Sequence, residues 1–519
     1  MSDFRYRAAP SPTGKVHVGT IRAYLPNYLL AKKYGGKNIL RIEDTDQTRL
    51  VPNGVEAMIE AYEEVGITFD EGPHVGGKVG PYVQSDRLDI YKEYAQKLID
   101  TGNAYYCFCS KERLEELRES QRANKQRPMY DGHCRDISVE DAKARVANGE
   151  PHVVRMKFPK EGGTVCHDLI FGKVSVKNSD VEDQILMKGD GFPTYHLAVV
   201  VDDHLMGITT AIRGVDWLPS YPKHVKLYEM FGWEPPKFAH LPLILNPDGR
   251  KKLSKRHGAF PVSQILRKGY LKEAIMNYSI LCGWSPKPED AHQDEIYTPE
   301  ELIQLFELER VHKTAARYDQ QKFDYINAKH IRRLDLDTLV EKVMHWAKKY
   351  VLGTFISDAY TEPAAWEPEL KSLVAKYLPK WESDLEYFKR ALSLEKERIT
   401  VLGDIPAALD FFYEDTLTWT DEDWNLKNHS KNELADALEV VLPRLEEIFK
   451  DENYDHEEWE KVVRGYADEL GWKHGDLFLA IRSATTGRLQ SPPLLDCYAI
   501  MGWNKVKRFI EQSIVWLRK

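Results

Sequence analysis

FRYRAAPSPTGKVHVGTIRAYLPNYLLAKKYGGKNILRIED, Phe4 to Asp44, is the stretch that decides the fold. Phe4 to Ala8 reads as a strand. Pro10 to Gly14 (PSPTG) cannot continue it, because two prolines remove ladder donors and Gly14 breaks the regularity. A helix follows from about Val18 to Tyr34, with Ile21, Leu25 and Leu29 at helical spacing and Gly35-Gly36 as its stop. Pro26 lies inside it, which predicts a kink. Asn38 to Ile42 is a second strand, ending in Glu43-Asp44. Strand, helix and strand of this size make a βαβ unit, hence a parallel sheet with ligands at its carboxyl edge.

Outward from this unit the pattern changes. Residues 88–190 hold a helix (Leu88 to Asp100), a paired-cysteine segment and a polar helix near Lys111 to Lys125, and read as an inserted α+β domain. The α/β pattern returns at Ala198 to Val201, which again ends in acids, Asp202-Asp203, and at Gly207 to Arg213. From Leu271 on, strand signals fade and helical periodicity dominates, with polar joints near Pro286 to Asp294 and Ser357 to Glu367. Nine of the twelve tryptophans lie after residue 340, and on helices their plain reading is core packing. The division expected is an α/β Rossmann-type domain (1–87 with 191–248), the insertion (88–190), a region carrying a basic loop (249–335) and an all-α region (336–519).

Bulk properties agree. A chain of 519 residues is too long for one core, and 42% apolar residues can fill several. No apolar run approaches the ~18 residues needed to span a bilayer. The first residues, MSDFRYRAAP, carry no apolar signal region, and a chemical motif begins at Arg7, so neither a secretory nor a mitochondrial leader is expected. Six scattered cysteines fit reduced thiols and a cytoplasmic address. The net charge of −9 does not exclude a nucleic-acid partner, because binding depends on local patches, and residues 245–268 carry seven Lys/Arg against one acid, Asp248.

Two motifs carry chemistry. In PSPTGKVHVGT, Pro10 to Thr20, a small-residue loop opens a helix after a strand. The helix's free N–H groups and positive end favour anions, and His17 and Gly19 sit at that entry. Taken alone, a surface turn with a helix cap is the plainer reading. In Lys251-Lys252-Leu253-Ser254-Lys255-Arg256, four cations within six residues repel one another, so the cluster either stands idle in water or receives phosphate. Gly249 and Gly258 flank it as for a movable loop.

Together these motifs resemble the HIGH and KMSKS signatures of class I aminoacyl-tRNA synthetases. The similarity sharpens to the glutamyl-tRNA synthetase family, in its discriminating-type bacterial or organellar branch. It is carried by APSPTG before HVGT, RIEDTD (Arg41 to Asp46), FDEGP (Phe69 to Pro73), GPYVQSDR (Gly80 to Arg87), PTYHLAVVVDDH (Pro193 to His204), IRGVDW (Ile212 to Trp217) and KLSKR. Thr20 stands where the first signature usually ends in His, as is common in the glutamyl branch. The resemblance implies a Rossmann-type catalytic domain with an inserted acceptor-binding domain. A stem-contact region with the KLSKR loop and an all-α anticodon-binding region follow. It implies a monomer that uses ATP with Mg²⁺, L-glutamate and tRNA(Glu).

The implied reaction has two steps. Glutamate's α-carboxylate attacks the α-phosphate of ATP, giving glutamyl-adenylate and pyrophosphate, and the terminal ribose hydroxyl of tRNA then takes the glutamyl group. Such chemistry needs positioning and charge neutralisation more than side-chain nucleophiles. By resemblance His17 and Gly19 hold the nucleotide, while Lys255, helped by Lys252, neutralises the leaving pyrophosphate. Pro10, Ser11, Thr13, Gly14, Thr20, Asp216, Leu253, Ser254 and Arg256 complete the ATP site. The amino-acid pocket matches Arg7, Ala9, Ser11, Glu43, Tyr195 and Arg213. Arg213 would take the side-chain carboxylate, Arg7 would stand beside the substrate's charged end, and Glu43 would take the α-ammonium. The alternative for each arginine is an ion pair with acids such as Asp44 or Asp202. Val199 departs from relatives that carry a substrate-contacting Asn there.

Cys107-x-Cys109, 24 residues, then Cys134-x-Asp136 resembles a zinc site of part of this family, which ends Cys-x-His. Asp136 stands in the histidine's place, and His133 adjoins Cys134. Zinc and plain reduced thiols both remain open. In the helical region Arg398, Arg482 and Ser491 match anticodon-contacting positions, and Arg398 is the one that accompanies a preference for glutamate's anticodon. Glutaminyl-tRNA synthetase, the nearest rival, carries Asn-Gly where this chain has Thr13-Gly14, and Asp in place of Glu43. A truncated paralogue that glutamylates a modified tRNA base lacks the anticodon-binding half. A non-catalytic RNA-binding paralogue is expected to lose His17, Gly19 or Lys255, all present here. A non-discriminating enzyme that also charges tRNA(Gln) stays open.

Lys255→Ala is expected to slow adenylate formation about 10²–10³-fold, the effect of removing one donor to charge that develops in the transition state. The glutamate KM stays near its parent value. ATP–pyrophosphate exchange with tRNA present measures both. Turnover within a few fold of the parent, or a raised glutamate KM at unchanged turnover, would remove Lys255 from this role.

Overall fold

The computed structural model describes residues 4–253, 260–426, 428–449 and 455–519. The opening unit folds as its sequence directs. Strand β1 (Arg5–Ala8) pairs in parallel with β2 (Lys37–Leu40), from Arg5 opposite Lys37 to Ala8 opposite Leu40. Helix α1 (Val18–Tyr34) connects them, and the whole is a βαβ crossover. Gly35 closes α1 at φ 61°, and its N–H reaches back to Lys32 O while Gly36 N–H reaches Ala31 O. That left-handed position is why glycine stands there. Pro26 lies inside α1, which runs as one helix from Val18 to Tyr34.

Helix α2 (Gly54–Glu64) follows β2, and a 3₁₀ turn, Gln84–Arg87, leads into α3 (Leu88–Asp100). Residues 88–190 then supply two separate layers. Strands β3 (Ala104–Cys107), β4 (Val153–Met156) and β7 (Ile185–Met187) form an antiparallel sheet in the order β3-β4-β7, accompanied in sequence by α4 (Lys111–Ala123) and α5 (Val139–Ala147). The hairpin β5 (Gly163–Asp168) and β6 (Gly172–Lys177) instead joins the sheet of the opening domain, in the order β6-β5-β9-β8. Here β8 is Thr210–Gly214 and β9 is Lys237–Leu241, and β5 meets β9 in parallel at Asp168 and Phe238. Part of the expected insertion is therefore a layer of the main sheet. β8 lies beside β1, where Thr209 N–H donates to Arg5 O at 3.0 Å.

One sequence expectation is corrected. Ala198 to Val201 is not a strand but the middle of helix α6 (Tyr195–Leu205). Leu197 to Asp203 are all buried, so the helix shows no polar stripe, and a short apolar run buried all round carries no period that separates helix from strand. The acids it ends in are nonetheless placed inside. Asp202 accepts from Arg87 Nε (2.8 Å), Gln84 Nε2 (2.9 Å) and the Tyr91 hydroxyl (2.8 Å). Asp203 accepts from Arg7 Nε (3.0 Å) and Arg41 Nη1 (2.7 Å). Arg41 Nη2 also donates to Glu43 at 3.1 Å.

The described residues divide into two compact units. The first comprises 1–265, 272–326 and 355–362, and the second 266–271, 327–354 and 363–519. The second unit is built of helices. Its long Lys431–Phe449 helix packs on Trp503–Leu517 and on His456–Leu470. Trp346, Trp381, Trp419, Trp424, Trp459 and Trp503 are buried there, so these tryptophans fill a core. Among the described residues no helix is long and apolar enough to cross a membrane.

Asp202→Ala is expected to destabilise the first unit by about 3–5 kcal/mol, because it leaves Arg87 buried beside no compensating carboxylate. Urea denaturation followed by a probe confined to that unit measures it. A loss below about 1 kcal/mol, the value of an exposed pair, would mean that the cluster is hydrated.

Candidate active site

The carboxyl ends of β1, β2 and β8 deliver Ala9, Glu43 and Arg213, and the amino end of α1 faces the same side. His17 caps α1 in extended conformation, and its Nδ1 accepts the Gly19 N–H at 3.1 Å. This explains the spacing of His-x-Gly. A Cβ on residue 19 would stand 2.9 Å from His17 Cε1 and 3.0 Å from Nδ1, so any other residue would push the ring off the cap.

A cleft of ≈ 290 Å³ is lined by His17, Gly19, Thr20, Asp216, Lys252 and Leu253. The structure thus brings together the described parts of both signature motifs, and Lys252 is ion-paired with Asp216. Ser254, Lys255 and Arg256 lie outside the described residues. Of the opening loop, Pro10 accepts the Glu43 N–H on its carbonyl at 2.9 Å, Ser11 accepts the Thr13 N–H at 2.8 Å, and Thr13 and Gly14 are half-buried. A larger hollow of ≈ 430 Å³, beside Gln96, Tyr106, His152 and Lys188, contains none of the motif residues. Chemistry rather than volume selects the cleft.

The sequence did not mark Arg22 or Tyr24, which also line this cleft. Arg22 Nε donates to Cys282 O at 3.1 Å, Nη1 is buried without a partner, and burial pulls the guanidinium's pKa down to about 10. Gly283, at φ 100°, lets the guanidinium in, since a Cβ there would sit 3.1 Å from Arg22 Nη2. Helical spacing from Thr20 was the one available signal for Tyr24.

The amino-acid residues separate into two electrostatic kinds. Three guanidiniums, Arg7, Arg41 and Arg87, face three carboxylates, Glu43, Asp202 and Asp203. Arg7 is bound to Asp203 and donates to Ile212 O at 2.9 Å. Burial pushes the Asp203 pKa up, but Arg7 and Arg41 outweigh it and hold the carboxyl below its usual range. Burial lifts Glu43 above the ordinary value, against the pull of Arg41 and Arg7. Arg213 differs from all of these. Nε donates to His240 Nε2 (2.9 Å), and Nη1 donates to His224 Nδ1 (2.8 Å) and to the Tyr195 hydroxyl (3.3 Å). Nη2 is buried and has no acceptor. Among the described residues no carboxylate lies within ion-pairing distance of Arg213, and Asp168 is separated from it by the His240 ring. Tyr195 is held by stacking on Trp217, with centroids 3.8 Å apart. Val199 is buried one turn along α6 from Tyr195.

The cysteines converge, but their expected fourth partner does not. The Sγ atoms of Cys107, Cys109 and Cys134 lie within 4.8 Å of one another. Neither Asp136 nor His133 joins them. The chain turns at Cys134–Ile137 (Ile137 N–H to Cys134 O, 3.4 Å), leaving Asp136 exposed and 4.0 Å from Lys157 Nζ. The fourth place is taken by Tyr130, whose hydroxyl is 3.3 Å from Cys107 Sγ and 3.7 Å from Cys109 Sγ. Burial pushes the Cys109 thiol up to about 12. In the second unit Arg482 Nη1 donates to Ser491 O and Pro492 O, both at 2.9 Å, and to the Ser491 hydroxyl. Burial lowers the Arg482 pKa, and the Arg398 charge lowers it further. Arg398 is 3.6 Å from Glu395.

Residues 3–325 match the family model for tRNA synthetases class I (E and Q), catalytic domain, and residues 365–514 match an anticodon binding domain. The chain is 40% identical to the glutamate–tRNA ligase of Treponema denticola over 511 residues, covering 98% of this chain and 99% of that one. It is 40% identical over 515 residues to the enzyme of Borreliella burgdorferi, covering 99% of each. Its structure is similar to a crystal structure of a glutamate–tRNA ligase from Elizabethkingia meningosepticum in complex with its amino acid. The TM-score is 0.81 and the identity 33%, over 99% of this chain and all of that one. A glutamate–tRNA synthetase from Elizabethkingia anophelis gives 0.80 at 33% identity.

Proposed function

Because the chain belongs to the glutamate–tRNA ligases of the class I tRNA synthetases, we propose how its residues divide the work. It is an aminoacyl-tRNA ligase that joins glutamate to tRNA and uses ATP to do so. ATP occupies the cleft of His17, Gly19 and Thr20, its phosphates directed to the amino end of α1, where the positive end of the helix dipole favours anions. Lys252 and Lys255 neutralise the departing pyrophosphate, and magnesium comes with the phosphates and their waters. The in-line attack of the α-carboxylate then needs only alignment.

The observation that carries the amino-acid assignment is Arg213 Nη2, buried and without an acceptor. No carboxylate touches Arg213, whose nearest acid along the hydrogen-bond chain, Asp168, stands beyond the His240 ring, so the guanidinium still offers its charge and an open N–H pair to a ligand. L-glutamate carries one net negative charge, and glutamine none. Both protons of Nη2 await the side-chain carboxylate, Glu43 faces the α-ammonium, and Tyr195, Ala9 and Ser11 border the substrate. Arg7, tied to Asp203, shapes the pocket wall beside the substrate's charged end.

The macromolecular partner is tRNA(Glu). Arg398, Arg482 and Ser491 read its anticodon, residues 88–190 take the acceptor end, and residues 249–335 the stem. The chain acts as a cytoplasmic monomer. Cys107, Cys109 and Cys134 with Tyr130 suit a structural zinc, since three thiolates and a phenolate give four donors and the ion would remove the phenol's proton. Metal analysis of protein purified without added metal is expected to give about one zinc per chain. Tyr130→Phe is expected to lower zinc retention and the stability of the inserted segment together. Metal-free protein would assign the thiols to plain packing.

Arg213→Gln is expected to lose about 3–6 kcal/mol of selection for glutamate, since two hydrogen bonds to a charged group contribute about 1.5–3 kcal/mol each. The gap to glutamine narrows. Arg213→Lys does not restore it, because a lysine cannot satisfy two imidazoles and a carboxylate from one fixed plane. The measurement is kcat/KM for both amino acids with tRNA(Glu) saturating, repeated with tRNA(Gln). An unchanged preference for glutamate would move selectivity to Arg7.

A further inference from the structure

Three buried arginines beside this pocket are held by carboxylates: Arg7 and Arg41 by Asp203, Arg87 by Asp202. Arg213 is held by two imidazoles. An arginine is only ever a donor, so the nitrogens it meets must be unprotonated acceptors. His240 Nε2 and His224 Nδ1 are therefore bare. The remaining proton of His240 lies on Nδ1 and is donated to Asp168 Oδ2 at 2.6 Å. That of His224 lies on Nε2 and is donated to His196 Nδ1 at 3.0 Å. Asp168 is fixed in turn by the backbone N–H groups of Ile170 and Phe171, both 2.9 Å from Oδ1. One chain of hydrogen bonds, Asp168–His240–Arg213–His224–His196, thus runs through β5, β9, β8, α7 (Tyr221–Phe231) and α6, and every tautomer in it is set by Arg213.

We propose that His224 and His240 are positioning residues for glutamate selection: as neutral acceptors they fix the Arg213 plane with Nη2 open, without cancelling its charge. A carboxylate in either place would satisfy the same N–H groups and neutralise the guanidinium, and the pocket would no longer favour a negatively charged side chain. A protonated imidazole would set donor against donor at 2.8–2.9 Å. The surroundings keep both rings neutral. Burial, then Arg213, holds the His224 pKa far below the ordinary value, and burial lowers His240 despite Asp168. His196 is pushed down to about 3 by burial and then by Lys223 and Arg213. The inference rests on the reading of Arg213 as the carboxylate receptor.

Paired amide substitutions test it, because Asn Oδ1 stands near the place of a histidine Nδ1 and Gln Oε1 near that of Nε2. His224→Asn and His240→Gln keep the acceptor for Arg213, whereas His224→Gln and His240→Asn displace it. With tRNA saturating, the keeping pair is expected to hold the glutamate KM within about threefold. The displacing pair is expected to raise it roughly 10- to 100-fold, the range for one charge-assisted hydrogen bond, with the ATP KM unchanged. His224→Asp, which adds a carboxylate, is expected to lose at least about 100-fold in kcat/KM for glutamate and to narrow the ratio to glutamine, with a melting temperature near that of His224→Asn. The two histidines lie on different elements, so a variant that fails to fold at one leaves the crossed comparison at the other. If all amide variants behave alike, or His224→Asp retains glutamate preference, the proposal is overturned. Arg213→Gln in the same assay separates the two failures. An unaffected glutamate KM there removes the reading of Arg213 itself, whereas a large effect beside a flat histidine series removes only the clamp.

Discussion

The catalytic half depends on two neighbouring carboxylates inside a helix. Asp202 and Asp203 are taken out of water at the end of an apolar run, and each must find cations there. Asp202 ties α6 to the segment Gln84–Tyr91, and Asp203 ties it to β1 and β2 through Arg7 and Arg41. Buried ion pairs of this kind add little net stability, because desolvation offsets attraction. What they fix is relative position. A helix that is apolar all round could rotate or slide against the sheet, and two carboxylates with five directed donors leave it one register.

That fixed frame allows the opposite arrangement next door. Around Arg213 no carboxylate makes contact: neutral imidazoles, a phenol and the Phe238 ring, 5.1 Å from the guanidinium carbon, are its neighbours, and Asp168 lies beyond His240. A buried guanidinium with one nitrogen left without an acceptor is unfavourable to the free protein, and a ligand carboxylate relieves it. The same low-polarity surroundings that make it unfavourable make its contact with a carboxylate strong. On the proposed reading of Arg213, discrimination between two nearly isosteric amino acids rests on electrostatics rather than on shape.

The nucleotide side works by a shorter-range rule. His17 and Gly19 are two residues apart and constrain each other directly, through the Nδ1 cap and the space that a missing Cβ leaves. Arg22, one turn further along α1, adds a buried cation to the same cleft. In the proposed nucleotide site a helix terminus and side chains within about one turn supply much of the lining, which is why a short motif can mark it.

What the sequence determined by itself was local or periodic. The βαβ unit, the Gly35 stop, the polar helix Lys111–Ala123 and the all-helical second half each follow from spacing within about one element. The signature loop was legible for the same reason, since its parts touch across two residues. Ala198 to Val201 was misleading because complete burial erases periodicity, and the hairpin β5–β6 because nothing in a strand's own residues says which sheet it will join. Only the tertiary structure decided that Tyr130 rather than Asp136 meets the sulfurs of Cys107 and Cys109, since the turn after Cys134 leaves Asp136 exposed. It alone also brought Asp168, His224 and His240 to Arg213. These residues are spread from 168 to 240 on separate elements, and an imidazole's role is set by which of its nitrogens faces a donor, a property of geometry that no residue spacing encodes.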